Sequence, residues 1–255
     1  LGIPSISTVH SLLRPWPVFL AGCAVFRLFS NRADLVTAVS AATARDVKRA
    51  SGRDAVRIPN GLHLGDWRAP RRRTDGVRIA AVTRLAPKKS PIDLIHALRE
   101  ARLRRSDVTL TVAGDGSERP RLEKEAARLG VRDHVHFLGA CSREQVRRLL
   151  ADASMLAHPG SMEAFGLALL EARAAGVPVV AMAAGGIPDL ITHRRHGLLA
   201  RTRKEFAAAV GELAADDGLR QECAAMAPRG LDEFDWTRVV ERHEAVYVRA
   251  LEHVK

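Results

Sequence analysis

The sequence is short of aromatic residues and of cysteine, and each shortage narrows what it can be. Only 4% of its 255 residues are Phe, Trp or Tyr, so a core must be filled mostly by Leu, Val and Ala. There are three cysteines, Cys23, Cys141 and Cys223. Their number is odd and none forms a CxxC pair, which argues for a reducing compartment and against a metal-held framework. No Asp-x-Asp pair and no His/Cys group has metal-ligand spacing, so no catalytic metal is expected. There is no G-x-S-x-G element and no Cys/His setting for a nucleophile. No signal peptide is expected ahead of the fold. The apolar run from Trp16 to Phe26 is shorter than the roughly 20 residues that a bilayer span requires.

Positive charge, by contrast, is in excess. The net charge is +11 and arginine supplies most of it, in short separate runs: Arg71 to Arg73, Arg104 and Arg105, Arg147 and Arg148, Arg194 and Arg195. Charge scattered in this way fits a solvated surface, and leaves nucleic acid, an anionic membrane and a phosphorylated substrate as the partners to weigh. With 47% hydrophobic residues the chain can bury a core, which excludes disorder. Its length suits one large domain or two ordinary ones.

Short apolar runs alternate with helical stretches, the pattern of a parallel α/β sheet. "RIAAVTRL", from Arg78, reads as a buried strand and "SPIDLIHALREARLRR" as the helix after it. Ser90 is expected as N-cap with Pro91 in the first helical position. "DVTLTVAG", "HVHFLG", "SMLAHPG" and "VPVVAM" read as further strands. "SERPRLEKEAARLG" reads as a helix closed by Gly130, and Ser142 with Gln145 forms a capping-box pattern before another. The series runs to about residue 200, and helices fill the rest. Before it, "IPSISTVH", "DLVTAVS" and "AVRIPNG" read as three strands. "GDWRAPRRRTDG" reads as a linker, which divides the chain into residues 1–70 and 71–255. The first part is too short for a complete doubly wound domain, so the chain reads as truncated at its N-terminus.

Three stretches carry chemistry. "PGSMEAFGLALLEARAAG" places Glu163 and Glu171 eight positions apart with Gly166 between them. The start of a helix presents unpaired N–H groups and partial positive charge, and a glycine there admits a ligand close to the backbone. That is a phosphate-binding arrangement. Carboxylates beside it make sense if they hold hydroxyl groups on either side of the phosphates, as a sugar nucleotide offers; otherwise they are a dipole partner and a surface residue. "TRLAPKKS" brings Arg84, Lys88 and Lys89 to the C-terminal end of a parallel strand, where open α/β sheets bind ligands; the other reading is a charged loop. "AGDGSER" has Arg119 where a dinucleotide fingerprint needs its third glycine, so it reads as a tight turn and NAD binding is rejected. His10 closes the first strand, a place that is more often structural than catalytic. Residues 14–29 read as a helix on an anionic lipid surface or buried against the first sheet.

Taken in order, these motifs resemble the retaining glycosyltransferases of family 4. "VTRLAPKKSPIDLIHAL" is similar to that family's G-R-L-x-x-x-K-G strand–loop–helix, and "HPGSMEAFGLALLEARAAGVPVVAMAAGGIPDLI" to its E-x7-E element and the glycine pair that follows. "IPNGLHLGDW" resembles the close of its N-terminal domain, and "STVHS" the strand end that carries a histidine. The resemblance implies the GT-B fold, α/β with two Rossmann-like domains on parallel sheets, the N-terminal one incomplete in this chain. It implies a nucleoside diphosphate sugar, UDP- or GDP-linked, as donor substrate, with no cofactor and no metal. Arg84, Lys89 and the backbone of Phe165, Gly166 and Leu167 would hold the diphosphate, Glu171 the ribose, and Glu163 the sugar. His10, Glu163, Arg84 and Lys89 would form the catalytic group. A sugar or lipid-linked acceptor in glycoconjugate or cell-envelope synthesis is expected, in the cytoplasm or peripherally on the inner face of the membrane, with no nucleic acid as partner. The sequence departs from the family at Thr83, Ser90, Gly160, His63 and Asp189, none of which removes a charged donor contact. A sugar-nucleotide epimerase of the same architecture and a non-catalytic binding module are the other classes.

Overall fold

The structure is a computed structural model that describes residues 3–12, 26–28, 30, 32–68 and 75–252. Most of the stretch 14–29, Cys23, and the Arg71–Arg73 portion of the linker lie outside the described residues.

Two parallel sheets organise the chain. The first has three strands in chain order: β1 (Ile6–Val9), β2 (Leu35–Ala38) and β3 (Val56–Arg57). Between β2 and β3 runs helix α1 (Ala41–Ser51). Ser40 caps it by accepting from the Thr43 N–H, and Gly52 ends it in the left-handed conformation, φ +77°. The second sheet comprises β4 (Val77–Val82), β5 (Val108–Ala113), β6 (Val135–Gly139), β7 (Met155–His158), β8 (Val179–Met182) and β9 (Gly197–Ala200). Its helices are α2 (Ile92–Arg104), α3 (Arg119–Arg128), α4 (Arg143–Asp152), α5 (Leu167–Ala174), the single turn α6 (Ile187–Leu190), α7 (Arg203–Ala215) and α8 (Asp217–Met226). A last helix, α9 (Trp236–Glu252), leaves this layer. It packs Val239, Val246 and Ala250 against Leu35 and Ile58 of the first sheet's layer.

The order of the second sheet is β6-β5-β4-β7-β8-β9, every pair parallel. The chain builds outward from β4 to β6, returns to the other side of β4 as β7, and builds outward again. This is the doubly wound order, and the crevice at the strand ends between β4 and β7 is its switch point. The central and C-terminal strands β7 and β8 are buried on both faces and read as continuous apolar runs, whereas β5 and β6 toward the edge alternate; Ile79, Ala81, Leu110, Val112 and Met155 pack with α2 and α7, and Ala80, Leu156, Val179 and Ala181 with α4 and α5.

The local expectations hold at the capping box, where Ser142 accepts from the Gln145 N–H and the Gln145 side chain from the Ser142 N–H at 2.8 Å. They fail at Ser90. Ser90 is not the N-cap of α2; a 3-10 turn over Pro87–Lys89 ends on it in the left-handed region, φ +49°, and Pro91 stands at the cap position without a side-chain bond. The preceding turn fixes the Ser90 backbone, so its hydroxyl cannot reach forward. The strand β9 and the turn α6 were not expected from the sequence.

Candidate active site

The loop after β4 and the loop after β7 meet at the switch point. The first carries Arg84, Lys88 and Lys89. The second runs from His158 through Gly160 and Glu163 to Gly166, where α5 begins. The turn after β5 presses against the β4 loop from the side. A Cβ on Gly114 would stand 1.9 Å from the Thr83 carbonyl oxygen, and one on Gly116 2.3 Å from that of Leu85. The glycines of "AGDGS" thus serve packing.

At the centre, Lys89 Nζ donates to Glu163 Oε2 at 2.5 Å. His158, the last residue of β7 and only 4% exposed, brings Nε2 to 3.3 Å from the same oxygen. That approach falls short of hydrogen-bond geometry, and Nε2 is buried without a hydrogen-bond partner among the described residues. Even so, the ring lies close enough to favour the charged form of the Glu163 carboxyl. Burial alone would raise the Glu163 pKa; His158 and Lys89 together outweigh it and hold the carboxyl at about 2. Gly160 gives this cluster room: a Cβ there would lie 3.1 Å from His158 Nε2, so the ring would have to shift slightly, and 3.6 Å from Lys89 Cδ, an ordinary contact.

Gly166 opens α5 with φ +101° and no side-chain cap, so the first N–H groups of the helix face the crevice loops unsatisfied by a side chain. Phe165 is buried and packs edge-on against Phe234 at 5.9 Å, which leaves only its backbone for a ligand. Leu167 is half exposed. Glu171 lies one turn further along α5, and its carboxyl makes no hydrogen bond or ion pair among the described residues. Burial pushes its pKa up to about 7, against a smaller opposing pull from Arg143. Arg143, at the start of α4, stacks over the Trp67 ring at 5.4 Å and lies 3.7 Å from Asp66. Arg84 is exposed and has no ion-pair partner among the described residues.

The structure thus brings Lys89, Glu163, Gly166, Leu167 and the Phe165 backbone to one crevice, with Arg84 and Glu171 on its flanks. His10 follows β1 and is exposed; it makes no polar contact with these residues. Its loop does reach them: Leu12 sits where a Cβ on Gly185 would meet it at 3.2 Å, and Gly186 N–H donates to the Glu163 carbonyl at 2.8 Å. The halves of the chain are further joined by Asp189 on α6, which accepts from the Ala41 N–H at 2.7 Å and lies 3.5 Å from Arg57. Sequence patterns alone do not single out His158 or Arg143. A lone histidine before "PG" and an arginine inside a capping box carry little signal until the fold supplies their neighbours. No group of three His, Cys, Asp or Glu among the described residues is placed to hold a metal ion. A separate cavity of about 370 Å³ lies between the face of β4 to β6 and α4, lined in part by Arg78, Thr111, Leu138 and Arg148, and includes none of the site residues.

Comparison with known proteins bears on this geometry. Residues 66–229 match the profile of the group 1 glycosyl transferases and residues 1–66 that of glycosyltransferase family 4. A D-inositol 3-phosphate glycosyltransferase of Salinispora tropica is 37% identical over 71% of this chain and 41% of its own length. A GDP-mannose-dependent alpha-(1-6)-phosphatidylinositol monomannoside mannosyltransferase of Mycolicibacterium smegmatis is 31% identical over 91% of this chain and 66% of its own length. The matched stretch thus spans about two fifths of the first of these relatives and just under two thirds of the second. Among solved structures, Anabaena HepE in complex with UDP superposes with a TM-score of 0.86 at 25% identity, over 96% of this chain and 72% of that one. Sucrose-phosphate synthase from Thermosynechococcus elongatus shares the fold, with a TM-score of 0.84 over 98% of this chain and 68% of that one. The chain has the GT-B fold and belongs to the group 1 glycosyl transferases, alongside family 4.

Proposed function

We propose that this protein transfers a sugar from a nucleoside diphosphate sugar to an acceptor hydroxyl, with retention of anomeric configuration. The observation that carries the reading is the crevice between β4 and β7. It combines an uncapped helix start, the cations Arg84 and Lys89, and two carboxylates set to either side, the Glu171 carboxyl making no hydrogen bond or ion pair among the described residues. A diphosphate in that crevice would meet positive charge, and the carboxylates would meet hydroxyl groups on the ribose and on the sugar. Preorganised cations and N–H groups of this kind stabilise charge as it builds on a leaving nucleoside diphosphate, and this chain's own groups would supply that stabilisation. Retention is read from the family resemblance, through front-face attack in which the leaving phosphate accepts the acceptor's proton. The His10 loop, which meets the Gly185 loop through Leu12, would border the acceptor. HepE complexed with UDP supports a nucleotide-sugar donor, and relatives named for D-inositol 3-phosphate and phosphatidylinositol monomannoside support a polyol or lipid-linked acceptor. No helix among the described residues is long and apolar enough to cross a membrane; action on the cytoplasmic side, with peripheral membrane contact, belongs to the same proposal.

The test is calorimetric titration with UDP, GDP and ADP at fixed salt. One nucleotide is expected to bind selectively. Arg84→Ala removes a charge-assisted contact and should weaken that binding roughly ten- to a hundredfold, and Glu171→Ala should weaken it as well. An affinity indifferent to both substitutions would remove the crevice from the function.

A further inference from the structure

In the donor reading above, Lys89 serves the diphosphate and Glu163 serves the sugar. In the structure they hold each other, with side chains only 15% and 18% exposed. An ammonium given over to phosphate oxygens leaves the carboxylate without its main partner. The Glu163 side chain is walled by His158 and Gly166, so water entering the empty sugar space is less well placed to satisfy it than the fixed hydroxyls of a bound sugar. A desolvated carboxylate without a partner is costly. Its remaining neighbour is His158 at 3.3 Å, outside hydrogen-bond geometry.

We propose that the Lys89–Glu163 ion pair is the element by which this site tells a nucleoside diphosphate sugar from a free nucleoside diphosphate. The inference rests on the donor-site reading and extends it. An intact donor breaks the pair but replaces both halves: phosphate oxygens for Lys89, sugar hydroxyls for Glu163. A free nucleoside diphosphate replaces only the first half. After transfer, the departing sugar leaves Glu163 without its hydroxyl partners, and re-forming the pair draws Lys89 off the phosphates and favours product release. His158 acts as a positioning residue that keeps the carboxylate in place while its partners exchange.

The experiment is a double-mutant cycle read by titration. Wild type, Glu163→Gln, Lys89→Met and the double variant are titrated with UDP, GDP and ADP, and with UDP-glucose and GDP-mannose. Circular dichroism checks that each is folded, and Glu163→Ser is measured beside Glu163→Gln so that no single variant's folding decides the outcome. Removing the carboxylate frees Lys89, so Glu163→Gln should bind the free nucleoside diphosphate roughly three- to tenfold more tightly than wild type, with a smaller advantage for the sugar nucleotide. In the Lys89→Met background that gain should vanish. A gain that persists there would mean simple charge repulsion by Glu163, and an unchanged or weaker affinity in Glu163→Gln would mean the pair does not compete with the ligand. Either result overturns the inference while leaving the donor site standing. A folded wild type that binds no nucleotide overturns both.

Discussion

The N–H of Gly186 donates to the carbonyl oxygen of Glu163 at 2.8 Å, which binds the loop after β8 to the loop after β7. The neighbouring Gly185, at φ +60°, is so close that a Cβ there would stand 2.1 Å from the same oxygen, and a Cβ on Gly186 would stand 2.2 Å from the carbonyl of Ala164. The glycine pair therefore sets where Glu163 can be. Gly186→Ala must push the two loops apart, at a cost of about 1–3 kcal/mol in urea unfolding. It should also weaken nucleotide-sugar binding by roughly tenfold or more, since catalytic and binding groups tolerate little misplacement. Full affinity in a folded Gly186→Ala protein would show that the site does not depend on this contact.

Three buried groups give the stability a predictable pH dependence. Glu171 is raised by burial to about 7 from an ordinary 4.5, with Arg143 opposing. Its contribution is fully present below pH 4.5 and lost as pH rises through about 7. His196 is lowered by burial, and then by the charges of Arg173 and Arg195, to about 4 from 6.5. Its contribution is present above pH 6.5 and lost as pH falls through about 4. Glu163, held at about 2, acts in the same sense only in stronger acid. Between pH 4.5 and 6.5, Glu171 and His196 therefore oppose each other. Glu171→Gln should be more stable than wild type at pH 8 and equal to it near pH 4. It should also show a steeper rise in urea midpoint from pH 4 to 6.5. Parallel curves for the two proteins would refute the assignment.

Arg173 lies two residues beyond Glu171 on α5 and is only 2% exposed. Its guanidinium donates to the carbonyls of Ala227 at 2.9 Å, Leu190 at 2.6 Å and Arg229 at 2.6 Å, and lies 3.2 Å from His196 Nε2. It ties the helix of the site to α6 and to the turn from which the chain leaves toward α9. Burial lowers its pKa to about 10, so it remains charged at neutral pH. Arg173→Met leaves three carbonyls without their donor and should cost about 3 kcal/mol. A loss below about 1 kcal/mol in urea unfolding would mean that water replaces the bonds.

Asp189 occupies a position where the family usually has glutamate, and here it caps the N-terminus of α1 from the other half of the chain. Asp189→Ala removes the 2.7 Å bond to the Ala41 N–H and the neighbour of Arg57, and should cost about 1–2 kcal/mol. Asp189→Asn keeps the bond but not the charge and should cost less than half as much. Equal losses for the two would assign the whole effect to charge.

The sequence by itself determined what depends on near neighbours. Alternation of apolar runs and helical stretches placed β4 to β8 and their helices. The Ser142–Gln145 box was legible because a cap is made within four residues. Local rules failed in two ways: at Ser90 one near-neighbour signal, the Pro87–Lys89 turn, overrode another, and at β9, which opens on Gly197, a contact far along the chain decided. A glycine reads as a turn in sequence, yet here a Cβ would stand 1.9 Å from the Val179 carbonyl, so only glycine fits against β8. Motif resemblance named Arg84, Lys89, Glu163 and Glu171 as candidates but could not say which of them touch. Lys89 and Glu163 are 74 residues apart, and only the order β4-β7 at the switch point brings them together. Their pairing, the raised pKa of Glu171 and the partnerless Nε2 of His158 follow from how much water each group loses and which charges surround it. Those quantities belong to packing across the whole sheet, and no window of sequence contains them.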